Sequence, residues 1–215
     1  MSKKSYSNEN KLSLSEGKFL INLARNAISN FLSDNKIIEP PVDAPENLKE
    51  KLGVFVTLKK HDSDELRGCI GFPEPIDTLA KGTITSAIEA ATGDPRFPHV
   101  TLKELEENIA VEISVLTTPK ELKTEPKNIP KKIIIGTDGL IIGKGLRRGL
   151  LLPQVAVEWK WDQEEFLANC CLKAGLPPDS WLLDETNVYT FQATIFKEQS
   201  PKGIIEQVLS EKETK

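Results

Sequence analysis

Residues 53–72 place the tightest limit on this chain. GVFVTLKK (53–60) and LRGCIGF (66–72) are two strand-like runs, and only the polar stretch HDSDE separates them. A parallel pair needs a crossover of a dozen or more residues, whereas an antiparallel pair closes through a short polar turn. The chain therefore contains an antiparallel hairpin, whose apolar side requires helices or further strands to cover it.

Helices flank that hairpin. Ser13-Leu-Ser-Glu16 is a capping box, and Leu20, Leu23, Ala24, Ala27, Ile28 and Phe31 follow at helical spacing. After the hairpin, residues 76–91 repeat the same periodicity, with Gly93 placed as the C-terminal cap. Thr101-Leu-Lys-Glu104 is a second capping box that opens a short helix. IAVEISVL (109–116) is a strand. The segment 131–153 carries three apolar runs, with Asp138-Gly139 expected at a hairpin turn and GKGLRRG at a solvated tip. Residues 162–175 are expected to be helical, with Asp162 as N-cap. VYTFQATIF is expected as the last strand, and Ser200-Pro201 as the start of a C-terminal helix. The fold class is α+β (mixed α/β), an antiparallel-to-mixed sheet with flanking helices. Residues 1–10 are expected to be a disordered tail, 11–199 the folded domain, and 200–215 a C-terminal helix or tail.

Composition narrows the functional classes. The net charge is -4 over 215 residues, which disfavours nucleic acid as a partner, since binders of that class are usually basic overall. No apolar run approaches the roughly 20 residues that cross a bilayer, and the polar N-terminus lacks a signal-peptide core, so a cytoplasmic, non-membrane protein is expected. Three cysteines, two of them adjacent, do not make a disulfide framework, and His61 and His99 are the only histidines. No metal site and no cofactor are expected.

The chemistry-bearing residues concentrate in LRGCIG (66–71). Strict alternation puts Leu66, Gly68 and Ile70 on one face and Arg67, Cys69 and Gly71 on the other. Arg67 would then lie about 7 Å from Cys69 and favour its thiolate. Gly68 and Gly71 would leave room for a ligand. The other reading is structural: a small cysteine between glycines lets a helix pack closely. In GDPRFPHVT (93–101), Asp94 and Arg96 bind each other or face a ligand, and His99 is a weaker candidate base for Cys69. Glu112 interrupts an apolar strand, so it is either paired, with Arg67 or Arg96 as candidates, or solvated beside Ser114. GKGLRRG fails both the P-loop and dinucleotide-binding patterns. Trp159 and Trp161 read as packing residues with a polar edge, and at least one of Cys170 and Cys171 as core.

LRGCIG, followed in order by GDPRFP, VEISVLT, GTDGL and LLLPQVA, resembles the AMMECR family of archaeal or bacterial type. The likeness runs from the first helix to the last strand, and the hexapeptide matches without departure. Phe97-Pro98-His99 stands where the family commonly has F-P-P, which weakens His99 as a general base. The resemblance implies a mixed α/β unit with a larger and a smaller lobe, and the hexapeptide near the cleft between them. It carries no established activity. It also implies a modification-pathway context with Memo-type or radical-SAM proteins as partners.

Two functions follow as expectations. One is an enzyme or enzyme component in which Cys69 is the reactive thiol, Arg67 holds an anionic group, and Glu112 handles protons. Gly68, Gly71, Asp94 and Arg96 would form its ligand-binding rim. The other is a binding or regulatory module for a partner protein or nucleic acid, with Arg67, Arg96, Lys144, Arg147 and Arg148 as a basic rim.

Overall fold

The computed structural model describes residues 12–208, which divide into two compact units. The larger comprises residues up to Val115 together with Thr194–Val208, and the smaller comprises Leu116–Ala193.

In the larger unit, α1 (Leu14–Asp34) starts at Ser13 with both arms of the expected capping box formed. It ends at Asn35, whose left-handed φ of 53° closes the helix. β1 (Gly53–Lys60) and β2 (Leu66–Phe72) pair antiparallel, as the short connection demands. α2 (Leu79–Thr92), α3 (Leu102–Glu107) and β3 (Ile109–Leu116) follow. The strand order β2-β1-β3 leaves β2 at an edge. Val54, Val56 and Leu58 of β1 and Ile109, Val111 and Ile113 of β3 turn one sheet face to the helices. Leu20, Ile21 and Ile28 of α1 and Leu79, Ile84 and Ala87 of α2 fill that core. Each fully buried large side chain contributes about 1.5–3 kcal/mol. A buried ion pair sits in this layer: Arg25 donates to both carboxylate oxygens of Glu198 and to the Leu105 and Ile109 carbonyls. Val111 N–H donates to the same carboxylate at 2.9 Å, so the pair is fully engaged.

The smaller unit holds β4 (Lys120–Glu121), β5 (Asp138–Lys144), β6 (Arg147–Leu151), α4 (Pro153–Glu158) and α5 (Gln163–Lys173). β7 (Asn187–Glu198) contributes its first half here and its second half to the larger unit. Every pairing whose register is resolved is antiparallel. α5 has the expected capping box at Asp162 and Glu165, and Gly175 after it is left-handed. Phe166, Leu167, Cys170 and Cys171 of α5 pack on Leu140 and Ile142 of β5 and Val188 of β7.

Three local expectations are corrected. Asp138-Gly139 is not a turn. It opens β5, pairing with Gln192 and Phe191, because a Cβ on Gly139 would lie 2.3 Å from the Phe191 ring. The left-handed turn comes earlier, at Gly136, and the hairpin closes later, through Gly145 and a fully exposed Leu146. The first apolar run, Ile133–Ile135, lies outside any strand. Finally, Ser200-Pro201 starts no helix. It enters a tight turn that leads to β8 (Ile205–Val208), antiparallel to β7. The expected N-terminal tail and residues 209–215 lie outside the described residues.

Candidate functional site

The hexapeptide departs from strict alternation. Leu58 pairs with Gly68, but Lys59 pairs with Leu66, so Arg67 is an extra residue in β2. Such a bulge re-aims a side chain and breaks the two-residue period. Leu66 is thereby turned out of the core and is exposed, against the expectation that it anchors there. Arg67 is turned away from Cys69 and buried. Its Nε donates to Glu104 Oε1 at 2.6 Å and its Nη2 to Oε2 at 3.1 Å. Nη1 donates to the Pro98 carbonyl at 2.8 Å and Nη2 also to the His99 carbonyl. A guanidinium so engaged ties β2 to the 94–101 loop and α3. It does not hold an anionic substrate group.

Gly68 and Gly71 serve packing. A Cβ on Gly68 would stand 2.1 Å from the Ala90 carbonyl oxygen of α2, and one on Gly71 would stand 2.3 Å from the Val54 carbonyl oxygen. The glycines admit backbone, so they are not part of a ligand rim.

Cys69 keeps a chemical setting of its own. It is partly exposed and lies on the sheet face away from the helices, directly opposite Thr57. The Thr57 hydroxyl donates to Cys69 Sγ at 3.2 Å. Cys69 N–H points off the sheet edge and donates to Asp94 Oδ2 at 2.9 Å. The two residues therefore form a non-hydrogen-bonded cross-strand pair, the kind in which side chains approach most closely. Arg96 grips both Asp94 oxygens, through Nε at 2.9 Å and Nη2 at 2.6 Å, and Nη2 also reaches the Cys69 carbonyl at 3.4 Å. Phe97 lies between two guanidiniums, with its ring centroid 5.4 Å from Arg96 and 6.0 Å from Arg67. The bond from Arg96 holds the Asp94 carboxyl well below the usual carboxylate range, against the burial that opposes it. Hydrogen bonding to Asp94, together with the negative charge of that carboxylate, pushes the Arg96 guanidinium up against the burial that opposes it. The cation beside Cys69 is thus Arg96, and its side chain is 55% exposed.

Glu112 shares the sheet face with Cys69 but stands two strands away, roughly 9–10 Å by strand spacing. It forms an ion pair with Lys59 at 3.8 Å, while Arg67 and Arg96 pair with Glu104 and Asp94. Ser114 is buried, and its hydroxyl has no hydrogen-bond partner among the described residues. His99 is exposed and contributes its carbonyl to Arg67. In the smaller unit, Lys144 pairs with Glu185 at 2.8 Å, Arg147 donates to the Gly175 carbonyl at 2.8 Å, and Arg148 lies over the Tyr189 ring. These cations are held by local partners. Cys170 and Cys171 are both buried, and Trp159 stacks on Trp161.

Thr57 and Glu104 are the two residues that sequence reasoning missed. Thr57 has one sequence signal: it belongs to the strand that pairs with the hexapeptide. Glu104 was visible only as a capping residue, a role it does fill. Among the described residues, no group of three His, Cys, Asp or Glu side chains is arranged to hold a metal ion. Among them, too, no helix is long and apolar enough to cross a membrane.

With the geometry in hand, comparison with known proteins is decisive on kinship. The AMMECR1 family model matches residues 21–196. The chain belongs to the AMMECR1 family. Protein PF1979 of Pyrococcus furiosus is 57% identical over 194 residues, covering 89% of this chain and 92% of that protein. Protein MK0488 of Methanopyrus kandleri is 53% identical over 200 residues, covering 92% and 95%. The crystal structure of the uncharacterized protein PH0010 from Pyrococcus horikoshii superposes with a TM-score of 0.88 at 53% identity, over 93% of this chain and 99% of that one.

Proposed function

We propose that this AMMECR1-family chain is an enzyme or enzyme component in which Cys69 is the reactive thiol. One observation carries the reading: Cys69 is partly exposed and its sulfur receives a hydroxyl hydrogen bond from Thr57 at 3.2 Å. A donor on sulfur favours the thiolate, the nucleophilic form. Arg96, locked by Asp94 and stacked on Phe97, takes the role first given to Arg67. It presents a fixed cation to an anionic substrate group beside the thiol. Glu112 stands too far to take the Cys69 proton directly, so it acts on a more distant part of a substrate lying across the sheet face. The modification-pathway context, with Memo-type or radical-SAM proteins as partners, belongs to the same reading.

The test is mass-spectrometric mapping of thiol alkylation in the native chain at neutral pH. Cys69 should label faster in the folded protein than in urea, and Cys170 and Cys171 only after unfolding. If Cys69 labels only on unfolding, it is a packing residue and the reading is lost.

The alternative is a binding or regulatory module that uses the same face to recognise a partner protein or nucleic acid. The local pairing of Lys144 and Arg147 lowers the cationic character such a module would offer to nucleic acid.

A further inference from the structure

The sheet face that carries Cys69 also carries an aromatic ring that neither core uses. Val54, Val56 and Leu58 of β1 point into the helix-covered core, so alternation turns Phe55 and Thr57 to the opposite face. Phe55 is half-buried there and belongs to neither apolar cluster. It stands opposite Gly71 of β2, as Thr57 stands opposite Cys69. A Cβ on Gly71 would lie 2.4 Å from Phe55 Cγ, so the aromatic side chain leans into the space that the glycine leaves. Phe55 and Cys69 thus form a diagonal cross-strand pair, roughly 7–8 Å apart and within reach of an aromatic side chain.

Arg96 stands on the other side of the sulfur, beyond the sheet edge. Its Nε and Nη2 hold Asp94, and Nη2 also reaches the Cys69 carbonyl at 3.4 Å. The Asp94 side chain is only 2% exposed, and its carboxylate also accepts from the Cys69 and Arg96 amides. The carboxylate is therefore turned inward, and the charge that this pair shows to solvent is the guanidinium. The Phe97 ring, 5.4 Å away, restrains that guanidinium. Elsewhere on the face, Lys59 pairs with both Glu112 and Asp64, so those charges compensate one another locally.

We infer that the Cys69 site takes an anionic aromatic electrophile, with its ring against Phe55 and its negative group on Arg96. The inference rests on Cys69 being the reactive thiol and adds what that thiol selects. A cation alone would accept any small anion, and a ring alone would accept any apolar group. Here the two flank one sulfur from opposite sides, so a molecule with a ring and an anionic group about its reacting atom meets both at once.

The experiment is thiol–disulfide exchange on the full chain with three probes. Dithiobis(nitrobenzoate) is aromatic and anionic, dithiodipyridine is aromatic and uncharged, and dithiodipropionate is anionic without a ring. In each case the Cys69 thiolate attacks one sulfur of the probe and forms a new S–S bond. The probe's own S–S bond breaks, its electron pair leaves on the other sulfur as a thiolate, and the Cys69 proton goes to water. Each rate is divided by that probe's rate with mercaptoethanol, which removes differences in intrinsic reactivity, and mass spectrometry locates the adduct. The corrected rate for dithiobis(nitrobenzoate) should exceed that for dithiodipyridine about tenfold, the scale of one hydrogen bond to a charged group. It should exceed that for dithiodipropionate several-fold, the scale of one ring-on-ring contact. Arg96→Met should abolish the first advantage and keep the second, and Arg96→Lys should restore part of the first. Phe55→Leu should abolish the second and keep the first. Thermal melts report whether each variant is folded. A reactive Cys69 with no preference among the probes overturns this inference alone, as do preferences that persist in the folded variants. A Cys69 that reacts with none of them until the chain unfolds overturns the reactive thiol as well.

Discussion

Cys69 and the pair Cys170–Cys171 hold the same functional group in opposite settings. Cys69 sits on an edge strand, partly exposed, with a hydroxyl on its sulfur and a guanidinium at its carbonyl. Cys170 and Cys171 sit inside the smaller unit, packed on β5. The Cys170 sulfur lies 3.7 Å and 3.6 Å from the Leu140 and Gly149 carbonyl oxygens. Burial, helped by the charge of Cys171, pushes the Cys170 thiol up to about 12. The contrast shows that a cysteine acquires chemistry from donors and cations in reach, and acquires inertness from apolar burial beside carbonyls.

Each region depends on a glycine that lets backbone approach backbone, and these glycines give the largest effects. Gly68→Ala drives a Cβ to 2.1 Å from the Ala90 oxygen, and Gly149→Ala drives one to 2.6 Å from the Ala174 nitrogen. Neither obstacle is a flexible side chain. Each substitution should cost about 1–3 kcal/mol or more in urea unfolding. An unchanged midpoint for Gly68→Ala would show that the hexapeptide glycine is there for a ligand after all.

The arginines sharpen the same contrast. Arg67→Ala leaves Glu104 and two carbonyls without their donor and should cost about 1–2 kcal/mol, because water reaches the 26%-exposed Glu104 side chain. Arg147→Ala removes one exposed bond and should stay within about 0.5 kcal/mol. Equal losses would mean that Arg67 is less committed than its geometry shows.

Acid and alkali should probe the two regions separately. The Asp94 carboxyl is depressed on folding, so its stabilisation is present above its ordinary value of 3.8 and is lost as the pH falls below that. Asp94→Asn should flatten the acid limb of the stability profile. The Cys170 thiol is raised, so its contribution is complete below its ordinary value of 9.0 and is lost as the pH climbs towards about 12. Cys170→Ala should flatten the alkaline limb only. Chemical unfolding across pH measures both, and a shared response in either variant would dissolve the distinction.

The smallest effect concerns the sulfur itself. Thr57→Val keeps the shape and removes the donor, so alkylation of Cys69 should slow several-fold, on the scale of about 1 kcal/mol for one hydrogen bond. Thr57→Ser should restore the rate.

Much of this was legible in the residues. The hairpin, α1, α2, α3, β3 and α5 follow from periodicity and capping boxes, which are local signals. The failures share a non-local cause. A bulge changes one pairing and leaves no mark in composition, so strict alternation misplaced Leu66 and Arg67. Asp138-Gly139 has turn chemistry, yet the approach of Phe191 claims the glycine for a strand. β8 is four residues long and is stabilised by β7, which no short-range pattern reports. α4 is six residues, too short to show a period, and its sign was Pro153 at the first helical position. At the site, Cys69, Asp94 and Arg96 were identified by residue type, but their grouping without Arg67 depended on the register.

The Asp94–Arg96 pair has a consequence for how copies of the chain meet. β2 is an edge strand, and an edge strand with unpaired amides and carbonyls is a template for another molecule's strand. At Cys69 that template is already occupied: a carboxylate takes the amide and a guanidinium takes the carbonyl. One side-chain pair therefore stands in for the missing neighbouring strand. The same loop that places a cation beside Cys69 thus takes two of the edge's backbone groups out of reach of another strand.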